Sequence, residues 1–227
     1  MTRFDAVLFD AGGVLVLPDP TVLGPLLAPL GGDPSIDAHT RAHYRGMAEK
    51  SASASHETDW SVYDHVYVRA IGCDTGLVDL AAEILGAVRN AHVWRWPIPD
   101  TMVGLRALAE RNVPMGVVSN ASGQVERALA IAGVCQVGAG VGVEMRVVID
   151  SHVVGVAKPD PTIFDFALHH FDGIDRSRIA YLGDSVVMDI GGARAAGLHP
   201  ILVDPYDDHA GADFVRVRSV SEFVARW

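Results

Sequence analysis

One apolar run, DAVLF at residues 5–9, leads straight into Asp10 and a glycine turn, and no comparable run returns until VPMGVVSN at 113–120. A short apolar stretch stopped by glycine reads as a strand buried on both faces. RIAYLGD (178–184) and HPILVD (199–204) repeat that texture. Helix-period stretches lie between the later runs, at 100–111, 122–132, 161–171 and 187–196. Their ends carry punctuation: Asp100 and Ser122 as N-caps, Pro161 in a first turn, Gly133 and Gly197 as stops. Strands alternating with helices of this length predict an α/β chain with a parallel sheet.

The long interval after the first strand is itself informative. Prolines 18, 20, 25 and 29 break its entry, and helix-like stretches follow near 36–56, 60–72 and 77–93 with no convincing strand. LVLPDP (15–20) and WRWPIPD (94–100) are proline-stiffened hinges. The chain therefore leaves its core after one strand, builds a helical unit over 17–96 and returns, so that 1–16 and 97–227 form the core. The glycine-rich VGAGVGV (137–143) has GxGxG spacing rather than the dinucleotide GxGxxG. It reads as a flexible loop leading into a β-hairpin around 145–156.

Composition narrows the function. A formal net charge of −10 argues against sequence-independent nucleic-acid binding, which needs a basic footprint. A phosphate-bearing ligand would need local positive charge or a cation. Cys73 and Cys135 stand far apart without a CxxC or CxxH partner and suit buried packing positions in a reducing cytosol. The acids in MTRFDAVLFD exclude a signal peptide there, and glycines break the uncharged stretch 128–143 short of a membrane span. A cytoplasmic protein with no membrane partner is expected. Repeats and heptads are lacking, so the sequence sets no oligomeric state.

Four pieces fall at the strand ends of the core: Asp10, Ser119 with Asn120, Lys158 in AKPDP (157–161), and GDSVVMD (183–189). In open parallel sheets the carboxyl ends of the strands converge on the ligand crevice. Taken singly, each piece is more simply a turn former, an N-cap or a solvated lysine. The ordered set, with its flanks GVAKPDPTIF and YLGDSVVMDIGGARAAG, resembles the haloacid dehalogenase (HAD) superfamily. Its first motif resembles FDAGGVL, its second VVSN, its third Lys158 and its fourth GDSVVMD. The resemblance implies a Rossmann-like parallel sheet core with helices on both faces and an inserted α-helical cap.

That resemblance implies a hydrolase acting on a small phosphorylated metabolite. Asp10 would be the nucleophile of an aspartyl-phosphate mechanism, with Mg²⁺ cancelling the repulsion between carboxylate and phosphate. Asp10 and Asp184 are the expected carboxylate ligands. Asp189 would act directly, through water or from behind, and the resemblance adds the backbone carbonyl of Gly12. Lys158 would hold the phosphate and keep Asp10 ionised. The Ser119 hydroxyl and the Asn120 backbone N–H would bind phosphate oxygens, while the Asn120 side chain has a structural alternative.

Gly12 departs from the pattern, because many phosphatases of the superfamily place an acid/base Asp there. Three readings follow: a phosphate-ligand binding protein with little turnover, a metal-free 2-haloacid dehalogenase, or a phosphatase that finds its proton elsewhere. Asp184 opposes the carboxylate of a 2-haloacid, and the dehalogenases usually carry an uncharged residue there, so the Mg²⁺-dependent phosphatase is favoured. Without an acid, leaving groups that are already acidic are expected: a phenol, an anomeric hydroxyl or an acyl group. Asp19, His39, His43, His56 and His65 are candidate substitutes, although helical histidines are more often surface or satisfied core residues. Arg41, Arg45 and Lys50 would help recruit an anion or lie on a solvated face. Trp60, Tyr63 and Tyr67 are spaced as a packing face within the insert.

Overall fold

The structure, a computed structural model, describes residues 4–53 and 59–227. Its centre is β1 (Ala6–Phe9), which lies between β4 (Met115–Ser119) and β8 (Ile179–Gly183). The six-stranded sheet continues through β7 (Val148–Asp150) on one side. On the other it continues through β9 (His199–Val203) and β10 (Val215–Val217), giving the order β10-β9-β8-β1-β4-β7. Every neighbouring pair is parallel. Strand order therefore reverses at β1, and Asp10 follows β1 at the switch point where such sheets open a crevice.

Alternation along β1 feeds two cores, because successive side chains point to opposite faces. Val7 and Phe9 join Val117 and Leu182 beneath α5 (Pro99–Glu110), α6 (Val125–Ile131) and α10 (Val220–Arg226). Ala6 and Leu8 join Val118 and Tyr181 beneath α8 (Thr162–Leu168) and α9 (Gly192–Ala195). Helices thus cover both faces, as an α/β core with a wholly buried parallel sheet requires.

The helical insert carries α1 (Pro20–Leu27), α2 (Ile36–Ala52), α3 (Ser61–Ala70) and α4 (Val78–Val88). It owns a separate core in which Leu23, Leu27, Tyr63, Tyr67, Val68 and Leu85 pack together. The expected aromatic face is there for Tyr63 and Tyr67, while Trp60 packs at its edge. The two proline-stiffened hinges pair with each other: β2 (Val16–Pro18) runs antiparallel to β3 (Trp94–Pro97). Entry to and exit from the insert are one short ribbon. Among the described residues no helix is long and apolar enough to cross a membrane.

Several local expectations change. Asp100 sits in the first turn of α5 behind Pro99, with Ile98 at the cap position, because proline's missing N–H fits there. Ser122 caps nothing, since the carboxylate of Asp150 caps α6 from a neighbouring strand, accepting from Gly123 N at 2.9 Å and Val125 N at 3.3 Å. No hairpin forms around 145–156. β5 (Cys135–Val137) and β6 (Val143–Met145) make a small parallel pair, and β7 joins the main sheet. Asp150 then starts α7 (Ser151–Val154) by accepting from His152 N at 3.0 Å. The loop between β5 and β6 is tied by Gln136, whose amide bonds Gly138 O, Gly142 O and Gly142 N. The helix expected at 187–196 begins as a π-turn over Val186–Gly191 before α9. Gly133 and Gly197 do end their helices in left-handed conformations, at φ of 69° and 80°, and both cysteines are free and buried.

Candidate active site

Asp10, Ser119, Asn120, Lys158, Asp184 and Asp189 all line one cavity of about 440 Å³ between the sheet's carboxyl edge and the helical insert, with Gly12 in its wall. β1 fixes Asp10, whose N–H donates to Leu182 O at 2.8 Å. Only glycine fits at residue 13. Its φ is +68°, and a Cβ there would lie 1.9 Å from Asp184 Oδ2.

Lys158 is buried, and its Nζ lies 2.9 Å from Asp10 Oδ1, 2.7 Å from Asp189 Oδ1 and 2.8 Å from Tyr181 Oη. Its backbone is clamped by Asn120, whose Oδ1 accepts from Lys158 N at 2.8 Å while its Nδ2 donates to Lys158 O at 3.0 Å. The Asn120 side chain is therefore structural. Asp189 gives both oxygens to protein donors: Oδ1 faces Lys158 and the Tyr181 hydroxyl at 3.0 Å, and Oδ2 accepts from Asp184 N at 3.0 Å and Ser185 N at 2.9 Å. The Tyr181 hydroxyl donates to Val118 O at 2.9 Å and so anchors the lysine's third contact. Ser119 ends β4, buried, beside Asp150 in the sheet register.

Electrostatics follow from burial. Asp10 is pushed up to about 7 by loss of solvent; Lys158 pulls it down, and Asp189 and Asp184 add to the rise. Asp184 is raised by the same desolvation, moderated by its hydrogen bond to His43. Burial works against the Lys158 ammonium, but Asp10 and Asp189 outweigh it and hold its pKa above the ordinary value. Asp10, Asp184 and Asp189 each offer an oxygen within 4.8 Å of the others, and Lys158 is the ion-pair partner of the buried Asp10 Oδ1. Three buried carboxylates against one ammonium leave net negative charge, so the cluster fits a small divalent cation such as Mg²⁺.

Of the substitute acids, His43 alone among the described residues reaches this centre. Its Nε2 lies 3.0 Å from Asp184 Oδ2 and its Nδ1 3.0 Å from Tyr63 Oη. Asp19 instead caps α1 and pairs with Arg95. His39 bonds Tyr67 inside the insert, and His65 bonds Ser61 O and Asp79 at its surface. His56 lies outside the described residues. Arg41 pairs with Asp208 of the core, and Arg45 with Glu49 on its own helix. Lys50 does line the cavity, donating to Asp59 O at 2.7 Å. Sequence reasoning missed Tyr181, Asp150 and Trp94. Tyr181 had a signal, since a polar hydroxyl inside an otherwise apolar strand needs a buried partner.

A model of the haloacid dehalogenase-like hydrolases matches residues 4–197. The chain belongs to that family. Over 133 residues it is 32% identical to the phosphoserine phosphatase of Thermus thermophilus, which covers 56% of this chain and 50% of that protein. The matched stretch thus spans about half the length of that curated relative, and less of some others. Among solved structures, a HAD phosphatase from Thermococcus onnurineus is similar with a TM-score of 0.59 at 20% identity, covering 98% of this chain and 97% of that one. A 2-haloacid dehalogenase from Pseudomonas syringae is similar with a TM-score of 0.56 at 23% identity, covering 99% and 100%. These two likenesses show the fold, an α/β HAD-like core with added helices.

Proposed function

We propose that this HAD-like hydrolase is a Mg²⁺-dependent phosphatase of a small phosphorylated metabolite, with residues 17–96 acting as a cap over a core of 1–16 and 97–227. The observation that carries the reading is the buried Asp10–Lys158–Asp189 chain beside Asp184, a nucleophile, a phosphate-binding cation and a cation-binding pair in one cavity. Phosphatase relatives such as the phosphoserine phosphatase support it.

Asp10 and Asp184, with the Gly12 carbonyl, would hold the cation, and Asp189 would act behind them because its oxygens already accept from Lys158 and from the backbone N–H groups of Asp184 and Ser185. The bound cation supplies the positive charge that lets a carboxylate approach a phosphate dianion. Asp10 attacks phosphorus in line, forming an aspartyl phosphate that water then hydrolyses. Lys158 keeps Asp10 ionised and neutralises a phosphate oxygen. The Ser119 hydroxyl and the Asn120 N–H take others at the end of β4. The insert closes over the cavity and excludes bulk water during transfer.

The dehalogenase alternative requires a 2-haloacid carboxylate beside Asp184, a buried acid facing the same cavity, and repulsion there disfavours it. One panel tests the choice: phosphate release and halide release, each with Mg²⁺ or EDTA, for wild type and Asp10→Asn. Phosphate release lost in both EDTA and Asp10→Asn is expected. Phosphatase activity that survives either treatment, or halide release alone, would overturn the proposal.

A further inference from the structure

Gly12 lacks the side chain that would protonate a leaving oxygen, and the structure shows what stands in its place. A Cβ on Gly12 would lie 3.0 Å from Cζ3 and 3.3 Å from Cε3 of Trp94. The six-membered edge of the indole thus covers the point where a side chain would begin. Trp94 opens β3, and its pairing opposite Pro18 of β2 holds it there. His43 and Trp60 meet it edge-on, with ring centroids at 5.6 and 6.2 Å. Met47, Val16 and Leu129 line the same cavity.

The titratable groups of this half of the cavity are engaged elsewhere. Both ring nitrogens of His43 have partners, Tyr63 and Asp184. Arg89 makes a two-point pair with Asp64 and lies 4.6 Å from the Trp60 ring centre. Lys50 donates to Asp59 O and lies 4.4 Å from the same ring. The wall of the cavity over Gly12 is therefore aromatic, and the titratable groups nearest it, His43, Arg89 and Lys50, are held by Tyr63 and Asp184, by Asp64, and by Asp59 O.

We propose that Gly12 and Trp94 together determine specificity for aryl phosphates, with the aromatic ring of the leaving group seated against the Trp94 indole. The inference rests on the phosphatase reading and narrows its substrate class. As an Asp10 oxygen bonds to phosphorus, the bond from phosphorus to the aryl oxygen breaks and its electron pair leaves on the aryloxide. A phenol-like oxygen carries that charge without a proton, and solvent protonates it after release. Water then adds to the aspartyl phosphate, returning the Asp10 carboxylate and inorganic phosphate, with the proton lost to solvent. An alkoxide would need the missing acid, whose absence costs about 10²–10⁴ in rate.

The test compares ring-substituted phenyl phosphates with butyl phosphate, with Mg²⁺ present, for wild type, Trp94→Leu, Trp94→Phe and Asp10→Asn. Calorimetric binding of phenylphosphonate and butylphosphonate to the same proteins gives a second readout. Wild type is expected to favour phenyl over butyl phosphate by at least about 100-fold in kcat/KM, rising as the phenol becomes more acidic. Trp94→Leu should weaken phenylphosphonate binding about 5- to 10-fold and leave butylphosphonate unchanged, and Trp94→Phe should restore the difference. Equal turnover of the two esters by wild type, or equal loss of both phosphonates in Trp94→Leu with no rescue by Trp94→Phe, would overturn the inference. Phosphate release without a ring preference would sink this inference alone. No phosphate release from any ester, with Asp10→Asn indistinguishable from wild type, would sink the phosphatase reading as well.

Discussion

Asp10 shows how much of this centre's behaviour is set by one buried carboxyl. Its pKa is about 7 in the folded chain against 3.8 when solvated. A carboxyl that holds its proton more tightly when folded gives the folded state more bound protons between those values, so stability falls as pH rises through that window. Thermal melts in EDTA should therefore show the midpoint dropping between pH 4 and pH 7, and Asp10→Asn should flatten part of that slope, the raised Asp184 carboxyl adding a share of the same sign. Mg²⁺ needs the ionised form, so its stabilising shift should be larger at pH 8 than at pH 5. A wild-type midpoint that rises with pH across that interval in EDTA would contradict the assignment. Lys158 is the complementary case. Removing it as Lys158→Met leaves Asp10 and Asp189 buried without their cation, and breaking such a pairing costs about 3–5 kcal/mol. Chemical denaturation should show that loss, and Mg²⁺ should recover part of it.

At the scale of elements, legibility followed the strength of the local signal. The strands that bear Asp10, Ser119 and Asp184 were readable because each is a continuous apolar run stopped by a turn. The seven proposed site positions, Gly12 among them, do line one cavity. Two of the failures share a physical cause: a distant group displaced a local one. Ser122 is a good N-cap by type, but Asp150 reaches across from β7 and fixes the start of α6 instead. Trp94 reads locally as a hinge residue, and only the β2–β3 pairing lays it over Gly12. Asp150 therefore carries a prediction of its own. It caps α6 and α7 at once, accepting from Gly123, Val125 and His152, and each cap is worth about 0.5–2 kcal/mol. Asp150→Ala should lower stability by about 1–3 kcal/mol in urea unfolding and loosen the loop that follows Ser119. The KM for a phosphate ester should then rise more than kcat falls. A kcat loss with KM unchanged would argue that Asp150 does not position that loop.

For the molecule as a whole, the central question is what holds the insert against the core. The insert has its own hydrophobic cluster, but Tyr44 of α2 joins the cluster of the core and Trp94 packs against both, and one face of α2 adds polar contacts between them. Arg41 makes a two-point pair with Asp208 and lies 4.5 Å from the Tyr206 ring centre. The Tyr44 hydroxyl donates to Gly13 O at 2.7 Å, and His43 bonds Asp184. Tyr44 and His43 land on the loops that carry the proposed chemistry, whereas Arg41 lands on the loop after β9, well away from it in sequence. An Arg41→Ala change therefore separates cap docking from the chemical step. Inter-domain contacts of this polar kind permit motion by default, and losing a charged two-point pair with its ring contact removes about 1–3 kcal/mol from the docked state. Small-angle scattering should show a larger radius of gyration for Arg41→Ala than for wild type. KM should rise several-fold, because the docked fraction that completes the cavity is smaller and apparent affinity falls with it. Since Arg41 touches neither the nucleophile nor the carboxylate cluster, single-turnover phosphoryl transfer at saturating substrate should stay within about threefold of wild type. An unchanged radius of gyration together with a collapse of that single-turnover rate would mean that Arg41 acts on the chemistry and not on docking.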